Sequence, residues 1–146
     1  TYVVRDGIPG IYFLSIEAEK LVPVLMARLL VGLPYEKSMI RRCKRLYCSR
    51  NTRRKSLLKI NYNIGESISP ISKLDYWLTE RHALYQQNGD RLFRIDIHHK
   101  PWPLQTLTVD PLIAGYPLIG TTAAERPDLT HYAKKLAVLV WPGQTI

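Results

Sequence analysis

Thr79-Glu-Arg-His-Ala-Leu-Tyr-Gln-Gln-Asn-Gly-Asp-Arg-Leu-Phe-Arg-Ile-Asp-Ile-His-His-Lys-Pro-Trp-Pro103 is the stretch that decides how the chain is read. Asn88-Gly89 lies between two apolar-rich runs, the strongest short-range signal for a hairpin with a two-residue type I′ turn. That turn sets Gln87 opposite Asp90. Counting outward brings Tyr85 to Leu92, His82 to Ile95, Arg81 to Asp96 and Glu80 to Ile97. Opposite charges at Arg81 and Asp96 fit this register. Side chains alternate along a strand, so Leu84, Phe93, Ile95 and Ile97 share a face with Glu80, His82 and His99. An acid and two imidazoles on an apolar, core-facing strand face predict a lined pocket.

On either side the chain reads as more strands and turns. Tyr2 to Arg5 and Ile11 to Ile16 read as strands around a turn at Asp6 to Gly10. Glu17 to Val31 reads as the one substantial helix, with Glu17 and Glu19 suiting its N-terminal end and Gly32 its cap. Leu21, Val24, Leu25, Arg28 and Leu29 are spaced to share a face, and Pro23 either kinks this helix or begins its regular part. Met39 to Ser49 and Leu57 to Asn63 read as strands joined by a turn over Asn51 to Ser56. Gly65 to Ser72 reads as a loop and Lys73 to Leu78 as a helical turn. Leu104 to Val109 and Leu136 to Trp141 follow as strands. Between these two, Asp110 to Asp128 reads as the longest irregular segment, placed to cover a pocket mouth. With no internal repeat, the expectation is one domain over residues 1–146, of mostly β (α+β) class.

The balance of 21 basic against 12 acidic residues, a net charge of +9, is concentrated locally. Arg41, Arg42, Lys44, Arg45, Arg50, Arg53, Arg54 and Lys55 crowd one segment that holds no acid. Residues 41–55 therefore carry the alternative reading, a nucleic-acid or acidic-partner binding module. The favoured reading is a solvated surface, because only Tyr47 and Tyr62 are near for base stacking. Cys43 and Cys48, if on one strand, stand about 16 Å apart and face opposite ways, which predicts two reduced thiols in a cytoplasmic protein. The longest apolar stretch, Leu21 to Leu33, is too short to span a bilayer. Neither the cysteines nor His98-His99 have the spacing of a metal site, and no cofactor fingerprint, phosphate loop or nucleophile elbow is present.

Tyr76-Trp-Leu-Thr-Glu-Arg-His-Ala-Leu-Tyr85 and His98-His-Lys-Pro-Trp-Pro-Leu-Gln105 resemble signature segments of the YqjF-like family of bacterial proteins of unknown function. Arg5-Asp-Gly-Ile-Pro-Gly-Ile-Tyr-Phe-Leu-Ser15 and Ala27-Arg-Leu-Leu-Val-Gly-Leu-Pro-Tyr35 resemble two more. That family is similar in fold to acetoacetate decarboxylase, so the resemblance implies an antiparallel β-barrel or cone with a central pocket. It also implies that an N-terminal part is missing, since this chain opens directly in a strand-like run. In acetoacetate decarboxylases a Gly-x-Pro precedes a pair of lysines, one of which forms a Schiff base. Here Gly32-Leu33-Pro34 is followed by Tyr35 and Glu36, with Lys37 only afterwards. An enzyme of this kind would then be lyase-like on a small keto or carboxylic acid, without the usual lysine.

Five residues are the ligand-pocket candidates. His99 leads, as a base, acid or hydrogen-bonding anchor; its bland alternative is an imidazole satisfied by a backbone carbonyl. Glu80 is placed to orient an imidazole, or else to bond loop amides. His82 is a face neighbour or simple packing. Tyr35 supplies a polar tip or fastens a loop, and Trp102, between two prolines, is a pocket wall or a rigid core plug. The expected partner is a small molecule; nucleic acid is disfavoured and a homo-oligomer is left open.

Overall fold

The computed structural model describes residues 1–19, 32–117, 121–123 and 127–146. Strands β1 (Tyr2–Arg5) and β2 (Ile8–Tyr12) form an antiparallel hairpin in which Arg5 pairs with Ile8. Its two loop residues, Asp6 and Gly7, both have positive φ (50° and 76°), as a type I′ turn requires. The turn is thus two residues long, shorter than the expected Asp6 to Gly10. Strands β3 (Ile16–Ala18) and β4 (Tyr35–Lys37) pair in parallel, Glu17 beside Glu36. Glu17 and Ala18 therefore lie in a strand, not at the start of a helix. The remainder of the expected helix, residues 20–31, lies outside the described residues, apart from Glu19 just before it.

Next come β5 (Met39–Cys43), β6 (Leu46–Asn51) and β7 (Ser56–Ser67). The single strand expected over Met39 to Ser49 is two, because the chain reverses at Lys44-Arg45 and Lys44 takes φ 46°. A tight two-residue reversal inside a basic run has no glycine to announce it. Cys43 and Cys48 consequently sit on neighbouring strands, opposite Leu46 and Arg41, and both are free thiols. Ser72 caps α1 (Lys73–Thr79): its hydroxyl accepts from Asp75 N–H, while the Asp75 carboxylate accepts from Ser72 N–H. The hydrogen bonds from Ser72 hold the Asp75 carboxyl below its usual range, and nearby His131 adds to the effect.

The remaining elements are β8 (Ala83–Asn88), β9 (Arg91–His99), β10 (Gln105–Tyr116), β11 (Thr121–Ala123), β12 (His131–Tyr132), β13 (Val138–Val140) and β14 (Gln144–Thr145). Asp110 to Tyr116, expected to be irregular, continues β10, and Gly65 to Ser67 continues β7. One sheet runs β1-β2-β8-β9-β13, with β14 also on β9; a second runs β11-β10-β7-β6-β5, with β12 on β10. Among the described residues, pairing is antiparallel except for β2 with β8 and β3 with β4. Two register shifts interrupt the long β7–β10 ladder, and Pro111 falls inside the second, where a missing N–H costs no ladder bond. Such irregularities bend strands, and one sheet curls into a half-barrel, within the mostly-β, α+β class expected. No described helix is long and apolar enough to cross a membrane.

The β8–β9 hairpin corrects the expected register in an instructive way. Gln87 faces Leu92, Tyr85 faces Arg94, Leu84 faces Ile95 and Ala83 faces Asp96. The loop is Gly89-Asp90, with φ +59° at Gly89 and no positive φ at Asp90, the glycine-first arrangement rather than the Asn-Gly one. Sliding the loop by one position moves each partner by two residues, and a shift of two keeps every side chain on its face. The observed register sets Leu84, a core residue, against Ile95, which has no exposed surface at all. Burying Ile95 contributes about 3 kcal/mol. The expected register would instead have opposed Ile95 with His82.

Candidate functional site

Glu80 is the C-cap of α1, Arg81 and His82 lead into β8, and His99 ends β9. The hairpin ladder extends beyond β8, with Ile97 N–H donating to the His82 carbonyl at 2.9 Å. This extension gathers three of the five candidates. Glu80, His82 and His99 each offer a donor atom, and the three atoms lie within 4.8 Å of one another. The His82 and His99 rings stack with centres 4.9 Å apart, and the Glu80 carboxylate approaches His82 Nε2 at 3.9 Å.

Burial within the group is uneven. His99 is buried, and the Glu80 side chain is only 8% exposed, whereas that of His82 is 49% exposed. His99 Nδ1 lies 2.9 Å from the Lys100 carbonyl, and Nε2 lies 3.3 Å from the Arg81 carbonyl. One oxygen of Glu80, Oε1, is buried without a hydrogen-bond partner, as is Trp102 Nε1. Trp102 stands edge-on to His99 at 6.0 Å between ring centres. Tyr35 is elsewhere, on β4 opposite Ile16.

Arg81 does not meet Asp96. Its guanidinium lies over Trp77 at 4.4 Å and over Tyr2 at 5.6 Å, while Asp96 pairs with Arg94 of its own strand at 3.0 Å. The two-residue shift removed the cross-strand pairing, and the aromatic rings of α1 and β1 take the cation instead.

Beside His99 opens a cavity of about 560 Å³. Pro101, Pro103, Leu136 and Val138 give it apolar walls, and His98, His99, Lys100 and Lys135 bring polar groups to it. Neither Glu80, Trp102 nor Tyr35 lines it. A smaller hollow of about 290 Å³ lies against β6 and β7, among Arg42, Tyr47, Tyr62, Tyr132 and Lys134.

A second buried polar centre escaped the sequence reading. The Glu17 carboxylate accepts from the hydroxyls of Ser49 and Ser56, both buried. Glu36 alongside is held by Arg54 at 2.9 Å and by Arg53 at 3.8 Å. Burial pushes the Tyr116 phenol up to about 12, with the charge of Glu17 and neighbouring Tyr47 adding to it. The available signal was Ser49 and Asn51 alternating on β6, inward positions where apolar residues are the rule. Two arginines of the basic segment are thus engaged by Glu36, and Arg42 lies over Tyr47 at 5.6 Å.

These features define a mostly-β protein with an acid and two imidazoles clustered next to an apolar cavity. Residues 1–137 match the DUF2071 family model, described as "Uncharacterized conserved protein", and the chain belongs to that family. It is 36% identical to "Uncharacterized protein YqjF" of Bacillus subtilis (strain 168), across 97% of this chain and 62% of that protein. The YqjF-like resemblance read from the four motifs is borne out. The chain spans less than two thirds of that relative's length.

Proposed function

We propose that this chain binds a small apolar or carboxylate-bearing molecule in the cavity beside His99. The observation that carries this reading is the wall composition: prolines and aliphatic side chains, interrupted by two imidazoles and two ammonium groups. Small-molecule sites usually combine apolar lining with a few convergent polar groups. Lys100 and Lys135 suit a carboxylate, and the apolar wall suits its hydrocarbon part. The fold likeness to acetoacetate decarboxylase belongs to the same proposal, without its chemistry. Where that enzyme has its lysines, Glu36 is buried and paired with arginines, and Lys37 is exposed. No desolvated lysine pair is available there to form a Schiff base.

Calorimetric titration with an arylalkanoate and with its neutral amide tests the reading. The acid is expected to bind at one site per chain, with affinity about tenfold weaker for the amide and for Lys135→Ala. Equal binding of acid and amide, or no saturable binding of either, would overturn it.

A further inference from the structure

We infer that Glu80, His82 and His99 form a binding site for a divalent transition-metal ion, zinc foremost. The inference does not depend on the neighbouring cavity, since the ion needs only these three side chains and solvent.

The donor set is two imidazoles and one carboxylate, all within 4.8 Å. Imidazole suits zinc, copper, iron and nickel, whereas calcium and magnesium favour all-oxygen shells. Two imidazoles on one tetrahedral ion have ring centres about 5 Å apart, and those of His82 and His99 are 4.9 Å apart. Donor atoms on such an ion stand about 3.4 Å from one another. The widest separation in the set must therefore close by about 1.4 Å. His82, half exposed, is the member free to swing inward.

An unsatisfied group points to a cation. Glu80, 8% exposed, keeps Oε1 buried with no donor, and a buried carboxylate oxygen left so is costly. His99 has both ring nitrogens against backbone carbonyls, Nδ1 at 2.9 Å from Lys100 and Nε2 at 3.3 Å from Arg81. A carbonyl can only accept and a neutral imidazole has one N–H, so only one of these contacts is a hydrogen bond of the neutral ring. A metal-ligating histidine usually donates one N–H to a backbone carbonyl and gives its other nitrogen to the ion. Here Nε2 would exchange the longer contact, to Arg81, for the ion. Three protein ligands leave a fourth position for water or an anion.

The test uses the tag-free chain, stripped with a chelator and titrated with Zn²⁺ against a competing chelator, and separately with Co²⁺. One ion per chain is expected, with the intense visible absorption of low-coordinate Co²⁺. Affinity should fall about 100-fold in His82→Ala and in Glu80→Gln. His98→Ala should change nothing. His82 is half exposed, so its replacement leaves the fold in place and keeps the test decisive. Unchanged affinity in His82→Ala, loss in His98→Ala, or uptake no tighter than millimolar would each overturn the site. The alternative would then be a metal-free polar cluster.

Discussion

Glu80 approaches His82 at 3.9 Å through one carboxylate oxygen, while its other oxygen is buried with no donor in reach. A fold does not gain stability by burying an acceptor in this way. Groups that weaken the fold at a cluster of donors are the kind retained for what they bind.

The first prediction concerns that cost. Glu80→Gln removes the buried charge with little change of shape. It should raise the stability of the metal-free chain by about 1 kcal/mol in urea unfolding at neutral pH. A clear destabilisation would mean that the carboxylate serves the fold.

A second prediction tests how β2 is seated on β8. A Cβ on Gly10 would come within 2.6 Å of the Ala83 carbonyl oxygen and of the Tyr85 ring. Tyr85 crosses Gly10 to donate its hydroxyl to the Ile8 carbonyl at 3.1 Å. Gly10→Ala should therefore cost about 1–3 kcal/mol, read as a lower urea midpoint. A midpoint equal to that of the parent would contradict this packing.

The third prediction is a pH dependence. The Tyr116 phenol is raised to about 12 from an ordinary 10. The folded chain thus holds this proton where the unfolded chain has lost it. Its contribution is fully present below pH 10 and disappears as pH rises through about 12. Tyr116→Phe should flatten the alkaline arm of a stability–pH profile. An unaltered arm would mean that Tyr116 ionises normally.

Much of the fold was legible because it is written in local chemistry. Lys73 to Leu78 read as a helical turn where α1 begins, and the first two strands read as flanking a turn that contains Asp6-Gly7. The faces of β8 and β9 were readable from alternation alone, and they survived a turn placed one position away. Register was not, because the choice between loops at Asn88-Gly89 and Gly89-Asp90 is made by packing Leu84 against Ile95, a tertiary event. The Lys44-Arg45 reversal was hidden in the same way. The parallel pairs β2–β8 and β3–β4 join segments far apart in the chain, which no local pattern reports.

Among the site candidates, Glu80, His82 and His99 were legible as face-sharing residues, but not as a donor set. Two come from one strand approach and the third from the neighbouring strand, so no linear ligand spacing describes them. Tyr35 was chosen through a family motif; it sits on β4 and does not line the cavity beside His99. The Glu17 centre was missed because Glu17 was assigned to a helix.

The cavity reading is tested most directly by imidazole and methyl NMR during titration with an arylalkanoate. The account predicts saturable shifts of His99, Val138 and Leu139 that fit one dissociation constant, while signals around Tyr62 and Tyr132 stay still. Shifts confined to the Tyr62–Tyr132 hollow, or no saturable shift at His99, would contradict it.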